Sequence, residues 1–216
     1  VGHFDERLRE LPATEFLTRL VETFGAQTIA VGYSVRFGYE GRGDHDLLRD
    51  QGPVLGYEAM AAEARTRDGD AISSTRVRDA IADGEFQVAA SMLGRPYALA
   101  GSVVEGAKMG RELGFPTANV AYGDMQLPPE GIYAGYTLHD GARHPSAISL
   151  GKRPTFDGTQ LLLESYLLDF SGDLYGAEVE VEFVEHLRDQ EKFGSVDELT
   201  ARIHDDVRRT RAVLGN

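Results

Sequence analysis

Apolar positions in the first half of the chain repeat at helical and then at strand spacing. Phe16, Leu17, Leu20, Val21 and Phe24 form one stripe of a helix that Thr14 can cap and Gly25 can end. Thr28-Ile-Ala-Val31-Gly32 is a short apolar run closed by glycine and predicts a buried strand, whereas residues 38–44 read as loop. Ser73, Ser74 and Thr75 supply N-cap candidates for a helix carrying Val77 and Ile81 and ending at Gly84; a further helix over about 85–93 stops at Gly94. Helices alternating with short apolar runs predict part of an α/β domain with a parallel sheet.

Past Arg95-Pro96 the pattern changes. Residues 97–104, 131–138, 146–150, 161–168 and 178–184 read as strands separated by Gly, Pro or Asp. In Glu178-Val-Glu-Val-Glu-Phe183 acidic and apolar residues alternate strictly, which predicts a strand with one wet face. Repeated short strands of this kind predict a closed or nearly closed antiparallel barrel. The chain finishes on a helix: Ser195 and Glu198 stand in capping-box spacing, with Val196, Leu199, Ile203, Val207 and Leu214 on one face. The domain boundary is placed near residues 94–96.

The segment from Gly106 through Lys108, Gly110 and Gly114 to Phe115-Pro116-Thr117-Ala-Asn119 carries the clearest chemistry. Glycines without a Cβ let backbone N–H groups approach phosphate oxygens. Thr117 offers a hydroxyl of the type that ligates Mg²⁺, and Asn119 an amide that accepts and donates. The segment is neither a Walker A loop nor a dinucleotide fingerprint, because no Gly-Lys-Ser/Thr follows and Phe-Pro-Thr does not open a helix. Glu164 lies on a strand, sharing a face with Leu162, Tyr166 and Leu168. A carboxylate there is either a desolvated general base with a raised pKa or a structural partner of an arginine on a solvated face. Lys152-Arg153 and Arg188 are either phosphate-facing cations or ordinary surface turns and salt bridges. Ser73-Ser74-Thr75-Arg76 is either a helix-terminus anion site or a plain capped helix.

Composition narrows the classes. The 216 residues suffice for one large domain or two small ones, and the hydrophobic share of 42% suits a globular core. A net charge of -13 argues against a general nucleic-acid binder and requires any nucleotide site to carry its own cation or metal. With no cysteine there is no disulfide or thiolate site, and the six histidines show no zinc spacing. No apolar run approaches the roughly 20 residues of a membrane span. The opening residues do not read as a signal peptide, so a cytoplasmic protein acting on small molecules is expected.

Taken in order, these segments resemble the bacterial bifunctional riboflavin kinase/FMN adenylyltransferases. The likeness rests on Val31-Gly-Tyr-Ser-Val-Arg36-Phe37-Gly38, Ile72-Ser-Ser-Thr-Arg76-Val-Arg78 and Leu93-Gly-Arg-Pro96 in the first half. In the second it rests on residues 101–119, Pro129-Glu-Gly131-Ile-Tyr133, residues 151–156, Glu164, Asp173-Leu-Tyr175-Gly176 and Leu187-Arg188. It implies a partial nucleotidyltransferase (Rossmann-like) α/β domain over 1–95 and, over 96–216, a riboflavin kinase module: a six-stranded antiparallel barrel with a C-terminal helix. It implies that Thr117 and Asn119 bind Mg²⁺ and ATP phosphates within the Gly106, Lys108, Gly110, Gly114 and Pro116 loop. Glu164 becomes the base that deprotonates the 5′-hydroxyl of riboflavin as FMN forms, and Arg188 lies near the flavin. Ser73, Ser74, Thr75 and Arg76 are what resembles a phosphate-contacting part of an adenylyltransferase site.

The resemblance has a gap. Family members open with Gly-Phe-Asp-Gly-x-His-x-Gly-His, and nothing of that kind precedes Val31. FMN adenylylation is therefore expected to be absent or impaired, and the chain to be a fragment of a longer product or its first half loosely held or self-associating. Ser149-Leu150 also stands where Asn-Ile is usual. The alternatives are a complete bifunctional FAD synthetase and a flavin- or nucleotide-binding module without catalysis.

Overall fold

The computed structural model describes residues 5–106, 109–155 and 158–215, with the side chains of 153–155 and 158–160 left aside. Two compact units part between Ile72 and Ser73. In the first, α1 (Glu6–Arg9) and α2 (Ala13–Phe24) precede β1 (Thr28–Val31), then α3 (His45–Leu55), β2 (Glu58–Ala61) and a small hairpin of β3 (Thr66–Arg67) and β4 (Asp70–Ala71). Helix α2 opens directly after Pro12, so Thr14 sits in its first turn and is not the cap; Gly25 ends the helix at φ +61° as expected. Strands β1 and β2 pair in parallel, Thr28 opposite Glu58. Neither is a buried strand: the residues of β1 alternate between exposed and half-buried. The expected loop at 38–44 contains a 3₁₀ turn, Tyr39–Gly41.

Leu17, Leu48 and Tyr57 form the core of this unit, with Phe16, Val21, Ile29, Val31 and Phe37 packed on them. Helix α3 has no counterpart among the elements that the sequence pattern predicts. Asp44 caps it by accepting the Leu47 N–H at 3.0 Å. Gly52 allows the helix to end against Tyr57, since a Cβ there would fall 2.7 Å from the Tyr57 carbonyl oxygen.

The second unit begins with α4 (Ser74–Ala82) and α5 (Phe86–Leu93), then β5 (Ala98–Val104), α6 (Met109–Glu112), β6 (Ala118–Tyr122), β7 (Gly131–His139), β8 (Ala142–Thr155), β9 (Gly158–Leu167), β10 (Glu178–Arg188) and α7 (Val196–Leu214). Among the described residues six strands close a barrel in the order β10-β5-β6-β9-β8-β7, with antiparallel neighbours throughout. The strand patterning locates five of these strands. It passes over β6, a five-residue strand that follows directly on Thr117.

The interior is filled by the inward-facing member of each strand alternation, including Val103, Val120, Ile148, Leu150, Leu163, Val181 and Phe183. Three hydroxyls join them. Thr137 Oγ1 lies 2.7 Å from Ser165 Oγ, and Ser146 Oγ donates to Thr137 Oγ1 at 3.0 Å, so each of these three hydroxyls finds a partner. The acidic alternation of β10 holds at Glu178 and Glu180, which face water; Glu182 is buried and pairs with Arg143 at 2.8 Å.

Helices α4 and α5, which the sequence assigns to the first domain, lie in the second unit. Phe86 of α5 stacks on Phe183 at 5.5 Å and meets Tyr133 edge-on at 5.6 Å, inserting an aromatic ring among barrel residues. Helix α7 covers the outside: Val213 and Leu214 pack on Ile132, Ala134 and Leu187. Its cap follows the spacing, Ser195 Oγ accepting the Glu198 N–H while Glu198 accepts the Gly194 N–H. Its apolar face departs from the expectation, because Val196 is exposed and the buried members are Asp206 and Thr210.

Two outcomes follow. Replacing Phe86 by Ala should lower the unfolding free energy of the barrel unit by about 3–5 kcal/mol, measured by denaturant titration; a loss below about 1 kcal/mol would contradict its place in the core. Burial pushes the phenols of Tyr97 and Tyr133 up to about 12. Both are neutral in either state below pH 10, so their contribution is intact there and is lost as pH rises from 10 through 12, when the unfolded phenols ionise first. Absorbance of phenolate should therefore show two late-titrating tyrosines coincident with alkaline unfolding.

Candidate active site

The glycine loop is shaped by three separate steric demands. A Cβ on Gly106 would overlap the side-chain amide of Asn119, and one on Gly110 would come within 2.5 Å of the Phe115 carbonyl oxygen and 3.2 Å of Thr117 Oγ1. Gly114 follows α6 at φ +85°, a conformation open to glycine. Phe115 is the anchor: it is buried, its N–H donates to the Gly110 carbonyl at 2.7 Å, and its ring meets Tyr166 of β9 and His204 of α7 edge-on at 5.5 and 4.9 Å. Pro116 then directs the chain into β6, leaving Thr117 at the strand's threshold and Asn119 within it. Lys108 lies outside the described residues.

Strand register brings these groups to Glu164. Asn119 stands directly opposite Glu164, and Glu164 directly opposite Ser149. Opposed residues in an antiparallel ladder point to the same face. That face is the outside of the barrel, since Leu163 and Ser165 on either side are buried. Glu164 is thus half-buried on the outer wall, and Thr117 Oγ1 lies 3.5 Å from its Oε1 in a long contact.

Beside this row is a cavity of about 350 Å³. Gly106, Pro116, Thr117 and Asn119 form one wall; Phe170, Asp173 and Tyr175 face them. The second wall is a turn in which Asp173 accepts the Tyr175 N–H at 3.0 Å, pinned to β5 by the Gly176 N–H on the Val103 carbonyl. Asp173-Leu-Tyr175-Gly176 belongs to the family resemblance but carries no site role in it; its only local signal is the Asp-x-Tyr-Gly turn. Arg111 of α6 also lines the cavity and is likewise absent from the expected site. The volume falls within the range of small-ligand sites. The Thr117 hydroxyl and the Asn119 amide oxygen are hard donors of the kind that suits Mg²⁺, with the Glu164 carboxylate beside them.

Other expected site residues lie elsewhere. Arg188 grips Asp206 of α7 with two hydrogen bonds of 2.9 and 2.7 Å, and its third nitrogen donates to the Asp189 carbonyl at 2.9 Å. The two side chains are 8% and 5% exposed, so this cation is committed to holding α7 on the barrel. Gln190 donates to Ser149 Oγ at 3.1 Å and to the Leu150 carbonyl at 3.0 Å, fixing the chain after β10 beside the Glu164 row. Lys152 is in strand β8 and not in a turn. Its exposed ion pair with Glu130, at 2.5 Å, holds that carboxyl below the usual range chiefly through the hydrogen bond. Ser73 caps α4 by accepting the Arg76 N–H at 3.3 Å, with Ser74 and Thr75 in the first turn. None of Ser73, Ser74, Thr75 or Arg76 lines the cavity.

With this geometry in place, comparison with known proteins is informative. The riboflavin kinase family matches residues 93–214 and the FAD synthetase family residues 1–76. The bifunctional riboflavin kinase/FMN adenylyltransferase of Pseudomonas fluorescens is 41% identical over 97% of this chain and 68% of its own length. The protein of the same description from Escherichia coli K12 is 38% identical over 98% of this chain and 68% of its own. A solved Streptococcus pneumoniae structure, described as a macrolide-efflux protein, superposes with a TM-score of 0.78 at 31% identity, over 96% of this chain and 67% of that one. Among the described residues no helix is long and apolar enough to cross a membrane.

Substituting Gly106 by Ala should displace the Asn119 amide and destabilise the unit by about 1–3 kcal/mol, as overpacking does. A shift of the Asn119 side-chain NH₂ resonances reports the displacement; unmoved resonances would contradict it.

Proposed function

The chain belongs to the bacterial bifunctional riboflavin kinase/FMN adenylyltransferase family, and from that premise we propose how its barrel makes FMN. The reaction is transfer of the γ-phosphate of ATP to the 5′-hydroxyl of riboflavin. The observation that supports the residue assignment is that the Glu164 carboxylate lies 3.5 Å from the Thr117 hydroxyl and across from Asn119, two residues that line one cavity.

ATP lies in that cavity with its phosphates beside Gly106 and Pro116, near Gly110 and Gly114 of the same loop, and its nucleoside toward Phe170 and Tyr175. Thr117 and Asn119 hold Mg²⁺, which when bound neutralises charge on the phosphate oxygens. Riboflavin lies on the outer face beside Glu164. The carboxylate takes the 5′-hydroxyl proton while that oxygen forms its bond to the γ-phosphorus; the bond from phosphorus to the β-phosphate oxygen breaks and ADP departs with that electron pair. Asn119 and Thr117 position the acceptor and donor so that little reorganisation accompanies the step. Arg188, placed near the flavin by family resemblance, acts through α7: its pair with Asp206 and the neighbouring Gln190 keep the flavin wall in place.

Residues 96–216 constitute the kinase module, with α4 and α5 as packed support, and residues 1–95 the adenylyltransferase-like part. The latter's Ser73, Ser74, Thr75 and Arg76 are a residual phosphate-contacting segment. We propose that these 216 residues by themselves do not transfer AMP to FMN, because the histidine pair of the family's adenylyl site is not among them. The match to FAD synthetase is confined to residues 1–76 and fits the second reading, a bifunctional enzyme, less well than it fits the kinase reading. ATP as donor fits a cytoplasmic reaction on small molecules.

Incubation with riboflavin, ATP and Mg²⁺, resolved by chromatography, separates the readings: FMN without FAD is expected, and FAD would establish the bifunctional one. Glu164→Gln should lower FMN turnover by about 10²–10⁴-fold with flavin binding retained. Unchanged turnover would remove Glu164 from the role of base.

A further inference from the structure

Phosphoryl transfer inside an acidic chain needs fixed positive charge at the phosphates, since ATP·Mg²⁺ retains net negative charge and the chain carries -13. Several cations of the barrel unit are already engaged: Lys152 with Glu130, Arg143 with Glu182, Arg188 with Asp206 and Arg211 with Asp169. Arg111 differs. It lines the cavity, it is exposed, and it makes no hydrogen bond or ion pair with any described residue. Among the described residues lining that cavity it is the one cation, set against one carboxylate, Asp173.

In the chain Arg111 directly follows Gly110, on which a Cβ would come within 3.2 Å of Thr117 Oγ1, and Thr117 Oγ1 lies 3.5 Å from Glu164 Oε1.

We propose that Arg111 is a substrate-binding residue whose guanidinium forks onto the polyphosphate of the nucleotide, an inference that rests on the kinase reading. A guanidinium presents paired donors that match two phosphate oxygens, keeps its charge at any working pH, and here needs to break no existing pair before it binds. Arg111 stabilises the nucleotide through its phosphates and contributes nothing to a nucleoside lacking them.

The test titrates the full chain, with Mg²⁺ present, with the non-hydrolysable imido analogue of ATP and separately with adenosine. Arg111→Gln should weaken the analogue by about 10- to 100-fold, as expected for a lost hydrogen-bonded charge, and leave adenosine unchanged. Arg111→Lys should recover part of the loss, and the thermal midpoint of both variants should match the parent. The KM for ATP should rise in Arg111→Gln while that for riboflavin stays fixed. An Arg111→Gln chain that binds the analogue as the parent does overturns the assignment while the kinase reading stands. A parent chain with no affinity for the analogue overturns both.

Discussion

Backbone pairing across β6, β9 and β8 is the constraint on which the site depends. Asn119, Glu164 and Ser149 come from three strands, yet the ladder sets them in one row on one face. A slip of one residue in β9 would turn Glu164 inward and bring Leu163 or Ser165 out. The register is defended by what lies beneath: Leu163 opposes Val120 on one side and Leu150 on the other, and Ser165 bonds the Thr137 hydroxyl. The core thus holds the carboxylate in place without touching it.

Charge is organised around the same wall. The Arg188–Asp206 pair is nearly dry, and truncating either partner of such a pair typically costs about 3–5 kcal/mol, far more than an exposed pair. It fastens α7 to the strand end next to the Glu164 row, while His204 of the same helix steadies Phe115 and the glycine loop behind it. One helix therefore braces both sides of the site.

What the sequence disclosed depended on whether the signal was local. The Ser73 and Ser195 caps, the Gly25 and Gly94 helix ends and the start of the alternation in β10, as far as Val181, are short-range patterns, and they stand in the structure at the residues expected. Strand β6 escaped because it is brief and continues a segment that reads as loop. Helix α3 escaped because Gly52-Pro53 looks like a break, although Pro53 lies in its last turn. The partnership of Arg188 with a residue 18 positions away on another element has no trace in local composition, nor does the insertion of Phe86 among barrel residues. The loop and the carboxylate were legible as chemistry; that they share a row required long-range pairing to be known.

That dependence bears on how the molecule acquires its activity. Asn119 and Glu164 are 45 positions apart in the chain, and Thr117 and Glu164 47. Contacts of such separation form only after much chain entropy has been surrendered, which places them late along a folding route. On the proposed roles of Thr117, Asn119 and Glu164, turnover is then a readout of completed ring closure: a species holding native helices but an unsealed ladder would look largely folded by helical signal and still be catalytically silent.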